Sequence, residues 1–475
     1  MSNPPTPVRP PAPPANSDTW PGAVGEGAGR ELWAWCFLAI VALAIAGVFA
    51  VLLAISRLPG IESVFPWPLA FFEKGLVIHV VYSFVVWFLA IFGAVLHLAT
   101  HRVSGGKPRA NVLGMIGVAL VALASILLFI PALLDRGEPT LNNYVPVIVD
   151  PLYYAGLIAL AGGVALAAVR LAVNLPGCRT GVEPATFAFA AGGGAYGVAL
   201  ICIGLAYWLL RGEAPTHAYN EDLFWGAGHV LQFVNTILML GAWYLLGTSA
   251  LGRPPIASGW HKVAMLWLVA FTLPAPLLYV FQTPFSADQV ETFTNLQYAL
   301  GPPVLITAGL MAAAFAGRET APPWRHPGFL CLSLSIGVFA VGGVLGLFVD
   351  GADTRTPAHY HGVIAGVNLA FMGLFYVIFL PLLDRRPRWG RMLYAQIYLF
   401  AGGQTIAALG LFWAGGYGAP RKTAGAEQGL EGIGGIAGMA MNGIGALFAV
   451  IGGVLFIWMV ARALLGAPDD GDKIP

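Results

Sequence analysis

His79, His229, His359 and His361 are four of the chain's nine histidines, and each stands in an otherwise apolar stretch. An ionisable side chain inside such a stretch is costly to keep and marks a functional candidate. His359 and His361 are separated only by Tyr360. Two residues along a helix rotate a side chain by roughly 200°, so the two rings leave opposite flanks of one helix. A single metal bound from one helix would use the i, i+4 spacing instead. Two flanks suit two separate cofactors, and imidazole nitrogen is a common axial ligand of haem iron. The expectation is a low-spin haem held between His79 and His361, and a high-spin, five-coordinate haem on His359. Arg421 and Lys422 form a basic pair further along the chain.

These residues need helices to hold them at one depth. Only 10% of the 475 residues are charged and 58% are hydrophobic, against about 25% charged in a soluble domain. A helix crossing hydrocarbon needs about 20 apolar residues. Such runs fall at 32–56, 76–100, 111–134, 145–173, 185–210, 223–247, 262–282, 294–317, 328–350, 359–383, 391–414 and 433–465. The fold class expected is all-α: a polytopic twelve-helix membrane bundle, treated as one domain over residues 32–465. His79, His229 and the His359/His361 pair lie early in the second, sixth and tenth spans. Even-numbered spans run in the same direction, so the four imidazoles share a depth in one half of the membrane.

Direction follows from the basic residues beside the spans. Of 24 Lys and Arg, 17 fall in the termini and in the loops after even spans, Arg170 and Arg385 to Arg391 among them. The other 7, including Arg57, Lys74, Arg136, Arg355, Arg421 and Lys422, fall on the opposite side. Both termini are therefore expected in the cytoplasm, with the histidines in the outer half of a multi-pass inner-membrane protein. Eight prolines between Pro4 and Pro21 forbid a helix, so residues 1–31 read as a disordered cytoplasmic tail with no cleaved signal. Residues 466–475 read as a short cytoplasmic tail. Cys36, Cys178, Cys202 and Cys331 have no metal-ligating or haem-attaching spacing. His97, His101, His217, His261 and His326, at span ends or in loops, read as helix-packing hydrogen-bond residues. The glycine runs Gly192 to Gly194 and Gly434–Gly435 read as close helix contacts. A net charge of +1 gives no sign of a nucleic-acid partner.

With these residues in place, the chain resembles the catalytic subunit of the haem–copper oxidase superfamily, which includes cytochrome c oxidases and nitric oxide reductases. The likeness covers residues 32–465. Leu76-Val-Ile-His79-Val-Val-Tyr82 resembles the helix of the low-spin haem ligand. Leu223-Phe-Trp-Gly-Ala-Gly-His229 resembles the helix carrying the first copper ligand. Pro357-Ala-His359-Tyr-His361-Gly resembles the family's HxH helix, in which the first histidine binds the high-spin haem and the second the low-spin haem. Gly418-Ala-Pro-Arg421-Lys422 resembles the basic pair that clamps haem propionates.

The departures are as specific as the matches. The family carries two adjacent histidines in the seventh span, and this sequence has no His-His. The corresponding stretch, Thr272-Leu-Pro-Ala-Pro-Leu277-Leu278-Tyr279, offers leucines in their place, leaving His229 a vestigial copper ligand unless Tyr279 joins it. Phe233 stands where one common arrangement has the active-site tyrosine or a glutamate, and the second glutamate of the nitric oxide reductases is absent around Leu300-Gly301-Pro302. Residues 101–110 contain no carboxylate to begin a proton channel, and the eighth span has no lysine. The resemblance implies a respiratory oxidoreductase with His359 and His229 at the catalytic centre, O2 or NO as acceptor, and a separate donor subunit (a cupredoxin or c-type cytochrome). The missing ligands point instead to an electron-transfer or gas-binding haem protein of the same fold without copper. A twelve-span secondary transporter would require internal repeats, which are not evident.

Overall fold

A computed structural model of the chain describes residues 26–56, 69–178, 181–318, 321–349, 351, 353–385, 389–423, 428–430 and 432–467. Most of the expected N-terminal tail, residues 468–475, Arg57, Arg386, Arg388 and Lys473 lie outside the described residues. Twelve helices are long and apolar enough to cross a membrane. They are α1 (Gly27–Leu53), α2 (Phe72–Val103), α3 (Asn111–Leu133), α4 (Pro151–Gly177), α5 (Pro184–Leu209) and α6 (His217–Leu251). The rest are α7 (Ser258–Phe281), α8 (Ala287–Ala316), α9 (Pro327–Gly346), α10 (Arg355–Leu382), α11 (Arg391–Gly416) and α12 (Ile433–Leu465). The architecture is the expected all-α twelve-helix one.

Several boundaries differ from the apolar runs, each for a local reason. The helix containing α1 already begins at Glu26, inside the stretch read as a tail, because Glu31 is ion-paired with Arg170 rather than solvated. Arg170 is accordingly buried within α4 and is not a loop charge. Lys74 likewise lies inside α2, its Nζ 2.6 Å from Asp135. Residues 145–150 precede α4: Pro139–Thr140 (β1) pairs antiparallel with Val147–Ile148 (β2), Pro139 opposite Ile148. Asp150 then caps α4 by accepting from the Leu152 amide at 2.8 Å. Both α2 and α10 widen by a π-turn, at Val81–Val86 and Phe375–Phe379. Such turns are rare and occur frequently at functional sites.

Contacts divide the chain into two compact units. One contains Val24–Phe49 and Pro68–Pro322, and so most of α1 and all of α2 to α8. The other contains Pro323–Pro475 with two shorter segments, and carries α9 to α12. Within each, sequence neighbours pack most extensively: α3 with α4 and α5 with α6 in the first, α9 with α10 and α11 with α12 in the second.

Small residues set the closest approaches. A Cβ on Gly410 would collide with the backbone of Asn442, and one on Gly445 with the backbone of Ala407. The glycine runs singled out in the sequence do less. Gly192 and Gly193 make ordinary contacts and Gly194 faces open space, while Gly434 lies against the Tyr417 ring and Gly435 makes only an ordinary contact. Replacing Gly410 with valine should separate α11 from α12 and destabilise the protein by about 1–3 kcal/mol, read as a lowered thermal midpoint in detergent. The same substitution at Gly194 should leave that midpoint nearly unchanged.

Candidate haem-ligating site

Each candidate histidine has two ring nitrogens to satisfy, His229 in a buried position and His79, His359 and His361 in half-buried ones. In the first unit, His79 Nδ1 lies 3.0 Å from the carbonyl of Ala46 on α1. A carbonyl only accepts, so Nδ1 carries the hydrogen and Nε2 keeps the lone pair in the neutral ring. In the second unit, His359 Nδ1 makes the same bond to the Gly342 carbonyl of α9, at 2.8 Å. The imidazole reaches α9 because Gly346 has no side chain in its way; a Cβ there would meet the ring within 2.5 Å of Nδ1. Fixing Nδ1 on a carbonyl is how proteins orient the other nitrogen toward a metal. His79 and His359 are therefore the kind of imidazole that would hold haem iron through Nε2. His361 is half-buried, its ring lying against Tyr360 at 5.5 Å.

The basic pair is tied to the start of the HxH helix. The Thr354 amide donates to the Ala419 carbonyl at 3.0 Å, and Asp353 forms a backbone bridge with Pro420. The Thr354 hydroxyl donates to the Leu411 carbonyl at 2.8 Å. Asp353 is itself clamped by Arg355, whose Nη2 is 2.6 Å from Oδ2. Burial pushes the Asp353 carboxyl up, but the Arg355 hydrogen bonds and charge outweigh it and hold the group below the usual carboxylate range. Arg421 and Lys422 follow directly, with Lys422 in the left-handed region at φ 62°. The structure thus brings Arg421 and Lys422 to the N-terminal end of α10. His79 and His229 belong to one unit, and His359, His361, Arg421 and Lys422 to the other.

His229 is arranged differently. Its Nδ1 bonds to the Trp225 carbonyl one turn earlier, at 2.9 Å, but its Nε2 is already taken: the Tyr144 hydroxyl lies 2.8 Å away. Since Nδ1 holds the ring hydrogen, Tyr144 is the donor. Its side-chain partner is therefore Tyr144. Tyr144, Trp225 and Phe293 surround the imidazole at ring separations of 4.8, 5.0 and 6.2 Å. Tyr144 reaches it from the loop between β1 and β2, in a left-handed conformation at φ 64° that is uncommon for a bulky residue.

That loop is strapped to α6. Glu221 accepts from the Asn143 amide at 2.7 Å and from its side chain at 2.5 Å. Asn220 donates to Thr140 Oγ1 at 3.2 Å. Burial, reinforced by the Glu221 charge, pushes the Tyr144 phenol up and keeps it protonated as a donor. Gly228 leaves room for the ring.

The expected leucine substitution is also placed differently. Pro274 and Pro276 break α7 locally, so that Ala275–Leu277 forms a tighter turn. Leu277 is 51% exposed and Leu278 half-buried, while Tyr279 is the residue turned inward. Its hydroxyl packs against Gly226, and its ring lies 5.6 Å from Phe293. Tyr279 therefore packs beside α6, while the hydroxyl bonded to His229 is that of Tyr144. Among the described residues no three His, Cys, Asp or Glu side chains converge as a metal site.

The histidines read as packing residues also sort unequally. His326 caps α9, accepting from the Phe329 amide at 3.4 Å. His261 is buried against Tyr244 at 4.6 Å with neither ring nitrogen in a hydrogen bond, so it packs without the expected bond. His97 belongs to a charged cluster described below.

Twelve apolar helices with candidate histidines on α2, α6 and α10 define a class of membrane protein, and the comparisons with known proteins agree. Residues 31–455 match the family described as cytochrome c and quinol oxidase polypeptide I, so the chain belongs to that family and is an integral membrane protein. Membership implies haem and electron transport. The chain is 26% identical over 242 residues to cytochrome c oxidase subunit 1 of Thermus thermophilus, covering 46% of this chain and 42% of that one. It is 24% identical to an uncharacterized protein of Rickettsia prowazekii, over 91% of this chain and 95% of the relative. An uncharacterized protein of Aquifex aeolicus is 29% identical over 72% of this chain and 83% of its own length. A solved structure of a haem–copper terminal oxidase dimer superposes with a TM-score of 0.77 at 15% identity, over 94% of this chain and 85% of that one. That likeness is one of fold.

If Tyr144 holds His229 as described, Tyr144→Phe removes one hydrogen bond and should cost about 1 kcal/mol. Gly228→Ala should cost more, because its methyl drives the Tyr144 ring off the imidazole. Thermal unfolding in detergent reads both, and a Gly228→Ala protein as stable as the parent would contradict the placement of the ring.

Proposed function

We propose that this chain is a dihaem electron-transfer subunit of a respiratory oxidoreductase. His79 and His361 would hold a low-spin haem and His359 a high-spin haem, with O2 or NO as the acceptor. Bound there, haem supplies one-electron redox chemistry and an iron site for a diatomic gas. The observation carrying the reading is the shared arrangement of His79 and His359: each Nδ1 gives its hydrogen to a backbone carbonyl, so the ring lone pair is on Nε2, the nitrogen that would ligate iron. Arg421 and Lys422 hold the propionates through charge-assisted hydrogen bonds, from a segment anchored to the start of α10. Electrons come from a separate donor subunit, a cupredoxin or a c-type cytochrome.

Copper does not fit beside the His359 haem in this reading. Tight copper sites need several nitrogen donors. The one candidate, His229, directs its lone pair at the Tyr144 hydroxyl, and the seventh-span histidines are replaced by leucines of which one is 51% exposed. The Tyr144–His229 bond favours a second reading within the same fold: a protein that binds the gas or passes electrons onward without reducing O2 to water.

Optical spectra and metal analysis of the purified protein separate these outcomes. His79→Ala or His361→Ala should abolish the low-spin spectrum, and His359→Ala should abolish CO binding. Unchanged spectra in all three variants would remove the haem assignment. Copper should be absent at stoichiometric level; one copper per two haems, lost in His229→Ala, would restore the complete oxidase centre.

The proposed orientation places both termini and the α10–α11 connection in the cytoplasm. A single cysteine at Asp384, in a chain with its native cysteines replaced, should react with an impermeant maleimide only after the cells are opened. Labelling of intact cells would invert the topology and place the histidines in the inner half.

A further inference from the structure

A cluster of ionisable side chains unused by the haem-ligating residues lies inside the first unit, toward the end of α2 that leads into the 104–110 loop. Glu31 of α1, His97 of α2 and Arg170 of α4 are 4%, 2% and 2% exposed. Arg170 Nη1 lies 2.8 Å from each Glu31 oxygen, and Nη2 donates to Asn111 Oδ1 on α3 at 2.8 Å. Asn174 anchors the same turn of α4, donating to the Arg170 carbonyl at 2.8 Å. Gly114 on α3 supplies the space, since a side chain there would displace both Glu31 and Arg170.

The Glu31–Arg170 pair is neutral without a third member. His97 is nevertheless placed against it, with oxygen facing both of its nitrogens. Nε2 is 2.9 Å from the Ala28 carbonyl. Nδ1 is 3.0 Å from Glu31 Oε1, an ion-pair distance bent away from hydrogen-bond alignment. A carbonyl and a carboxylate both only accept. In either neutral tautomer of His97, one ring lone pair therefore confronts an oxygen at about hydrogen-bond distance in a medium without water. The conflict is removed when one further proton is present, either making His97 an imidazolium or protonating Glu31 so that it donates to Nδ1. The second form leaves Arg170 as the only full charge, and the first spreads two cations around one anion.

Other groups facing the pair are few. His101, one turn beyond His97, has its ring 4.6 Å away and is half-buried. Arg102 turns to Glu183 at 3.3 Å. His101 is thus the titratable group standing between the cluster and the 104–110 end of the helix.

We propose that Glu31 and His97, held in place by Arg170, form a buried proton-binding site within the membrane-spanning bundle that exchanges its proton with water through His101. The site is independent of the haem reading. It places a proton store in a chain whose 101–110 segment contains no carboxylate.

The test uses the full-length protein in detergent, labelled with 15N-histidine, at about pH 8, where an ordinary imidazole is neutral. The expected result is either one imidazolium signal among the nine histidines or a protonated-carboxyl band in the infrared spectrum. Glu31→Gln should abolish whichever is seen. His97→Gln should abolish it too, and if that variant does not fold, the wild-type and Glu31→Gln spectra carry the comparison. Neutral histidines together with a fully ionised Glu31 would overturn the site. His101→Gln should slow deuterium exchange at the pair severalfold; an unchanged rate would overturn the proposed route.

Discussion

A polar group inside a hydrocarbon layer must find its partner in the protein, because no water is there to supply one. For a histidine this means two nitrogens to be satisfied, and the choice of partner determines what the ring can do. His79 and His359 each give Nδ1–H to a carbonyl of a neighbouring helix, so each keeps one nitrogen in coordinating form. His229 begins the same way, on the Trp225 carbonyl, but passes its second nitrogen to the Tyr144 hydroxyl. His97 meets oxygen on both sides. The same side chain thus serves three different ends through the partners that its surroundings offer.

The helix packing serves these bonds. His359 reaches the Gly342 carbonyl because α9 carries glycine at 342 and 346, and a side chain at either would push α10 or its imidazole away. The Arg421 segment lies beside α10 because the residues before the helix hold it through backbone bonds and the Thr354 hydroxyl. Around His229, the loop between β1 and β2 takes a left-handed turn at Tyr144 and is strapped to α6 by Asn220 and Glu221. A residue remote in sequence is thereby held beside the imidazole.

Family membership and this local chemistry bear on different questions. The family accounts for twelve helices and for haem as the implied cofactor. Beside it stand a phenol bonded to His229 and a Glu31–His97–Arg170 cluster that joins α1, α2 and α4. These are contacts made by this chain's own residues. In a low-dielectric interior a divalent ion with one imidazole would remain largely uncompensated, whereas a neutral phenol–imidazole pair satisfies both groups without adding charge.

The sequence by itself determined the twelve apolar segments and the histidine positions within them, because length, hydropathy and helical spacing are local properties. It also marked the HxH pair and the loss of the adjacent histidines, both legible as residue types. It misplaced what depends on partners far along the chain. Glu31 looked like the end of a tail and Arg170 like a loop charge, since hydropathy penalises each charge separately; paired across 139 residues, both are buried. Leu277 looked like the residue filling the space of a lost ligand, but two prolines rotate it outward and bring Tyr279 in. Tyr144 carried no signal at all, being an aromatic in a turn 85 residues from its histidine. Only the tertiary structure decided which acceptor each imidazole nitrogen faces, because that depends on the approach of separate helices and loops rather than on any local pattern.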